Sequence, residues 1–241
     1  MLKDHGHKPN TFFIGIGDQL NCIWVKDPRF RISEAAPQYR DKEDFIDWQI
    51  NDFASLIRYN TDPEQWLGMG SGNHELAMLK YTSSDPHRRL CQTVGTLDLG
   101  YSFFLNLNFY SGSDGNHGAG RTVVIYGHHG WGGGSRTEGA NLTKFAKNEA
   151  HYDADISLYG HTHDKFGKRM IRILPTRRGV LKVVQKPMIV ANCGTFMRTL
   201  SDDERPTYSE QSGYPPRDIG YITITMRPDQ KRTFVDLRVT E

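Results

Sequence analysis

Four short stretches of this 241-residue chain carry side chains from which a metal site could be built. They are Gly17-Asp18, Gly72-Asn73-His74-Glu75, Gly127-His128-His129-Gly130 and Gly160-His161-Thr162-His163-Asp164. Carboxylate oxygen, amide oxygen and neutral imidazole together suit a borderline divalent ion such as Mn, Fe, Zn or Ni. Taken singly, each stretch is an ordinary polar turn. An Asp after Gly is a turn residue far more often than a ligand, and two histidines two apart read as a solvated loop pair. Yet all four stretches are flanked by glycine and each follows an apolar run, which is hard to explain as four independent turns. In a turn, unlike a strand, the rings of His161 and His163 can both aim at one point.

The apolar runs read as short buried strands: 11–16 before Gly17-Asp18, 65–69 before the Asn-His pair, 121–126 before the His-His pair and 156–159 before the His-x-His pair. Helices are expected over 42–59, with Phe45, Trp48, Phe53, Leu56 and Ile57 as the apolar side, and over 75–80 and 141–151. Another is expected over 86–94, with Asp85 as N-cap and Pro86 at the first helical position. Residues 102–110 read as a strand and 111–120 as a hairpin loop. Later strand-like runs fall at 181–184, 187–191, 221–226 and 233–239, the last two forming a C-terminal hairpin, and 201–218 is a polar, Pro-rich loop. Strand–helix alternation early and hairpins late predict a mixed α/β sheet system, one domain over 1–241. In α/β folds, sites form outside the carboxyl ends of strands, where all four stretches fall.

In order and in wording, the four stretches resemble four of the five signature blocks of the calcineurin-like metallophosphoesterases of phage and bacterial type. Gly-Asn-His-Glu and Gly-His-Thr-His are specific blocks, and Gly-Asp alone is weak. The motifs span residues 11–163, and Tyr208–Gly220 also resembles the later part of such proteins. The resemblance implies a mixed β-sandwich flanked by helices, a four-layer fold, with two divalent metal ions at the strand ends and Mn as the ion to supply in vitro. Carried over by position, Asp18 resembles the carboxylate that bridges both metals. Asn73, His128 and His161 resemble ligands of the second metal, His163 a ligand of the first, and His74 the catalytic histidine beside the scissile phosphate. Of the pair His128-His129, the first is the one that matches the family. The implied reaction is hydrolysis of a phosphomonoester or phosphodiester by a hydroxide bridging the metals. His74 would assist at the leaving oxygen, help typically worth about 10²–10⁴ in rate. Asp164 either orients a ligand imidazole or is a surface charge.

The family's first block, an Asp-x-His that ends the first strand, is not visible. Asp4-His5-Gly6-His7 has the residue types but no strand before it. The expectation is therefore a fold lacking its first strand and helix, with a first metal left to Asp18 and His163. That departure keeps a second reading open, a non-catalytic metal-binding relative with an incomplete first site.

Composition bounds the partners. A net charge of +2 gives no field that points to nucleic acid, and the basic residues Lys165, Lys168, Arg169, Arg172, Arg177, Arg178 and Lys182 read as a solvated charged hairpin. A nuclease and a small-molecule phosphatase both stay open, because ester choice lives in loops such as 19–41, 111–120 and 201–218. Mean hydropathy is −0.60. No apolar run approaches the roughly 18–20 residues of a membrane span, and residues 1–7 have no signal-peptide core. Cys22, Cys91 and Cys193 are widely separated and lack Cys-x-x-Cys spacing. They argue against a disulfide framework or a cysteine zinc site and for a reducing cytoplasm.

Overall fold

The computed structural model describes residues 1–23, 27, 30, 37–39, 43–110, 120–133, 137, 139–175, 179–180, 183–200, 206–228 and 236–240. Over these residues the chain is an α/β protein, and it divides into two compact units, Met1–Phe103 and Phe104–Glu241.

The first unit opens with a short helix, α1 (Leu2–His5), and is built on a three-stranded parallel sheet of β1 (Phe13–Ile16), β2 (Trp66–Gly70) and β3 (Asp98–Gly100), in that order. Parallel neighbours need crossover connections. α2 (Phe45–Asn60) supplies the first, and α3 (Asn73–Thr82) with α4 (Pro86–Val94) the second. Ile16 pairs with Gly70 and Gly70 with Gly100, so the three strands end level and their following turns leave at one edge.

α2 buries Ile46, Gln49, Ile50, Ala54, Ile57 and Asn60. The expected apolar side is corrected in part. Ile57 is buried and Phe45 and Phe53 pack on the core, but Trp48 is 46% exposed and Leu56 50%. Trp48 lies two residues from both Ile46 and Ile50, which on a 3.6-residue helix turns it to the opposite side. α4 follows its sequence signals closely. Asp85 accepts from the Arg88 N–H at 2.9 Å, Pro86 opens the helix, and Gly95 closes it at a φ of +83°. Leu90, Cys91 and Val94 then join Ile50, Ile57 and Met69 in one core.

The second unit is built on a five-stranded sheet. Its order is β4 (Ser102–Phe109), β5 (Arg121–His128), β6 (Ile156–Tyr159), β8 (Val183–Cys193) and β7 (Lys165–Pro175). β5, β6 and β8 run parallel, β7 is antiparallel to β8, and α5 (Ala140–Asn148) connects β5 to β6. All four residues of β6 are buried, as expected of a parallel strand covered on both faces. A short helix, α6 (Tyr208–Gln211), interrupts the later polar loop. A two-stranded antiparallel sheet of β9 (Thr223–Arg227) and β10 (Asp236–Thr240) ends the chain.

The basic stretch from Lys165 is one arm of the β7–β8 hairpin. Of the runs expected at 181–184 and 187–191, the described residues 183–184 and 187–191 belong to one strand, and Pro187 lies inside it, opposite Ile171. β6 begins to pair with β8 only at Ile189, so at Pro187 the missing N–H breaks no ladder on that side. The loop expected at 111–120 lies outside the described residues except for Gly120, as do Arg177, Arg178, Lys182 and the strand start at 233–235. No helix among the described residues is long and apolar enough to cross a membrane.

Candidate functional site

In the first unit, the chain leaves β1 through a tight left-handed turn, with φ of +94° at Gly17 and +52° at Asp18. Asp18 Oδ1 accepts from the His74 N–H at 3.0 Å. Its carboxylate therefore lies at the N-terminus of α3, where unpaired N–H groups and the helix dipole favour an anion. A Cβ on Gly72 would lie 2.0 Å from Asp18 Oδ1, so only glycine allows this approach.

Glu75 closes the turn. Its side chain is 1% exposed and accepts from the N–H groups of Gly72 at 3.0 Å, Leu20 at 3.0 Å and Asp18 at 3.2 Å. Burial and then the Asp18 charge push its carboxyl up, while the N–H groups of Leu20 and Gly72 pull the other way. The sequence reading assigned Glu75 no role. Its signal was present as the Glu three residues after the helix N-cap, Gly72.

His74 Nδ1 lies 2.7 Å from the Asn21 carbonyl oxygen. A carbonyl only accepts, so Nδ1 carries a proton and Nε2 is the nitrogen that can exchange one with a substrate. Asn21 N–H in turn donates to Gln49 Oε1 at 3.1 Å. Asn21 thus supports the histidine through its backbone. At the N-terminus, Asp4 pairs with the Met1 amino group at 3.0 Å, and His7 Nδ1 is 3.0 Å from Asp62 Oδ1.

In the second unit, His128 at the end of β5 is opposite Tyr159 at the end of β6, so His129 and Gly160 leave the sheet side by side. Gly160 N–H donates to the His129 carbonyl at 2.9 Å. The His129 side chain is 2% exposed, and its ring lies 5.2 Å from that of His161 at an interplanar angle of 71°. His128 is turned to the other face, as strand alternation requires. Its Nδ1 accepts from the Gly130 N–H at 2.8 Å, and its ring meets Trp131 edge-on at 5.1 Å. Burial holds the His128 imidazole below its usual pKa. Of the two histidines, His129 is the one beside His161.

His161 and His163 both have left-handed backbones, at φ of +66° and +61°. Gly130 makes room for the turn: at a φ of +112°, a Cβ there would lie 2.6 Å from the Gly160 carbonyl oxygen. Thr162, between the histidines, is buried and accepts from Asn192 Nδ2. The Asp164 carboxylate, expected to orient an imidazole or lie on the surface, accepts from Asn141 Nδ2 on α5 and from Arg217 Nη1. Behind the turn, Tyr159 stacks on Phe145 at 4.2 Å and donates its hydroxyl to Glu149 Oε1 at 2.8 Å.

The chain matches no protein-family model, no curated protein and no solved structure. The His129–His161 pair fits a shared ion: two imidazoles bound at about 2.0–2.1 Å by one tetrahedral ion have ring centres roughly 5 Å apart. Asp18 offers a carboxylate with one oxygen held by the helix N-terminus, a usable oxygen ligand for a hard or borderline cation.

Proposed function

We propose that this chain is a metal-dependent hydrolase of phosphoric esters with a metallophosphoesterase-like sandwich. Asp18, Asn73, His129, His161 and His163 are its metal ligands, and His74 is the proton-transfer residue. The observation that carries this reading is backbone strain at the expected ligands. Seven non-glycine residues among those described have positive φ, and Asp18, His161 and His163 are three of them. Each such position costs of order 1–3 kcal/mol, and residues held this way cluster at functional sites. His129 replaces His128 in the ligand set because its ring, not that of His128, adjoins His161.

Bound divalent ions would polarise a phosphoryl oxygen and lower the pKa of water at these residues. The chain's own groups do the rest. Glu75 anchors the Asp18 backbone N–H, Gly72 leaves room for the carboxylate, and the His74 N–H holds it at the start of α3. The Asn21 carbonyl keeps the His74 proton on Nδ1, which orients the ring and leaves Nε2, when protonated, to donate to the leaving oxygen.

The test is hydrolysis of a generic phosphomonoester and a generic phosphodiester with added Mn. Full-length protein is expected to turn over at least one of them, and His74→Ala to lose about 10²–10⁴ in kcat. His129→Ala should lose bound metal, whereas His128→Ala should keep it. Two bound metals with no turnover of either ester would sink the proposal. One metal per chain with no turnover would favour the non-catalytic relative. DNA binding that weakens steeply with salt would identify a nuclease among the enzymes.

A further inference from the structure

A second group of metal-ligating side chains lies in the first unit, on residues the turn cluster does not use. His87 and Cys91 are four apart and so share one face of α4, and Asp98 follows the Gly95 turn at the start of β3. His87 is 3% exposed and Cys91 2%, while the Asp98 side chain is 32% exposed. One atom, His87 Nε2, faces three lone-pair atoms. Asp98 Oδ1 is at 3.1 Å, the Met69 carbonyl oxygen at 3.1 Å and Cys91 Sγ at 3.5 Å. A neutral imidazole offers one proton, and one linear hydrogen bond uses it. Asp98 Oδ1 is fixed toward the ring by the Gly100 N–H at 3.0 Å, so a cation replacing the Nε2 proton would meet nitrogen, oxygen and sulfur together. Nitrogen and oxygen at about 2.0–2.2 Å and sulfur at about 2.3 Å from a tetrahedral ion lie roughly 3.3–3.6 Å apart, so the sulfur at 3.5 Å is already placed and the carboxylate at 3.1 Å would move out by a few tenths of an ångström. A cavity of about 190 Å³, bordered by Ser71, Glu75, Asp85, His87, Asp98 and Tyr101, opens on the histidine and the carboxylate and admits water.

The rival chemistry is a Cys-His-Asp nucleophilic triad. That arrangement needs the thiol on one ring nitrogen and the carboxylate on the other. Here both meet Nε2, and Nδ1 is buried without a hydrogen-bond partner.

We propose that His87, Cys91 and Asp98 form a zinc-class metal site with an open coordination position, clipping α4 to β3. Thiolate, imidazole and carboxylate together select Zn²⁺ over the hard ions. On binding, the sulfur–hydrogen bond breaks, a sulfur–metal bond forms and one proton leaves to solvent. Because that proton must leave, binding strengthens with rising pH. The ion also places the His87 proton on Nδ1, where no acceptor receives it. The affinity is therefore about 10–100-fold below that of a fully supported site. Nothing here depends on the phosphoesterase reading.

The experiment is a Co²⁺ titration of the metal-free full chain, followed by the thiolate-to-cobalt charge-transfer band in the near ultraviolet. The strand-end turns at Asp18, Asn73 and the histidines contain no sulfur and contribute none of it. The expected result is a band that rises to a plateau with the intensity of one thiolate per chain and is displaced by Zn²⁺. It is absent in Cys91→Ser and unchanged in His161→Ala, so loss of the hydrolase site leaves it intact. In Asp98→Asn the same band needs about tenfold or more Co²⁺. Asp98 is partly exposed, so this variant decides the matter even if Cys91→Ser fails to fold. No band in the wild type, a band that survives Cys91→Ser, or an unaltered titration in Asp98→Asn would each overturn the site.

Discussion

The two units present the same kinds of side chain at strand ends but hold them by different forces. In the first unit the turn is a polar clamp: one buried carboxylate, Glu75, accepts three backbone N–H groups and fixes Asp18 against Gly72. In the second unit the turn rests on packing. Parallel register sets His129 beside Gly160, and Tyr159, stacked on the fully buried Phe145, holds the end of β6 in place. A polar clamp is directional and fails when one acceptor is removed. A packed ring is nearly non-directional and fails when volume is lost. The two halves should therefore respond differently to conservative substitution.

The largest effect is expected at Glu75. Glu75→Ala strands three N–H groups, each costing about 1–3 kcal/mol when buried and unsatisfied, and a loss of about 3–9 kcal/mol should appear in urea unfolding. Glu75→Gln keeps one acceptor oxygen but turns an NH₂ toward an N–H, so about half of that loss should persist. Phe145→Ala comes next, at about 3–5 kcal/mol for a buried aromatic, but Phe145→Leu should recover most of it by refilling the space. If Gln at 75 were neutral and Leu at 145 no better than Ala, the contrast between the units would fail.

A third pair of variants separates stability from site geometry. Gly72 has an ordinary extended backbone, φ −112° and ψ −177°, so a methyl group there is opposed mainly by Asp18. Gly72→Ala should displace the carboxylate and weaken metal binding about tenfold or more, with a stability loss of about 1–2 kcal/mol. Gly130 has φ +112° and faces the Gly160 carbonyl, so Gly130→Ala strains the backbone itself. Its loss should appear first in the thermal midpoint, at about 2–3 kcal/mol. Metal titration and calorimetry on the two variants check whether the effects divide this way.

The elements legible in the sequence were those with local causes. α4 carries its N-cap, its Pro and its closing Gly within ten residues of one another. The strand-end turns were legible because each couples an apolar run to a glycine. What escaped depended on partners remote in sequence. The buried side of α2 is chosen by what packs on it, so Trp48 could not be told from Ile50 by hydrophobicity. Pro187 reads as a break until the position of β6 along β8 is known. The choice within His128-His129 had two signals: alternation along β5 puts His129 in line with the buried Val123 and Ile125, while the likeness to a known block favoured His128. Glu75 was missed because its three partners include two residues more than fifty positions away.

The smallest expected effect is at Asp164, and it sharpens the contrast most. This is the polar clamp of the second unit, joining the His-x-His turn to α5 through Asn141 and to Arg217. It differs in kind from Glu75. Its main partner is a full charge, and the Asp164 and Arg217 side chains are 17% and 26% exposed. Water and salt therefore reach the pair, whereas the three N–H groups on Glu75 are dipoles packed around a buried carboxylate. Asp164→Asn keeps the shape, loses the charge and should cost about 1 kcal/mol at low ionic strength. At 1 M salt, where the Debye length is about 3 Å, most of that difference should vanish. The Glu75→Gln difference should be the same at both salt concentrations. Urea unfolding of the two variants and the wild type, at low and high salt, measures both. Equal salt dependence at the two positions would show that the clamps are one kind of interaction. Loss at Asp164 alone would show that the first turn is held by buried dipoles and the second by packing with a screened ion pair at its edge.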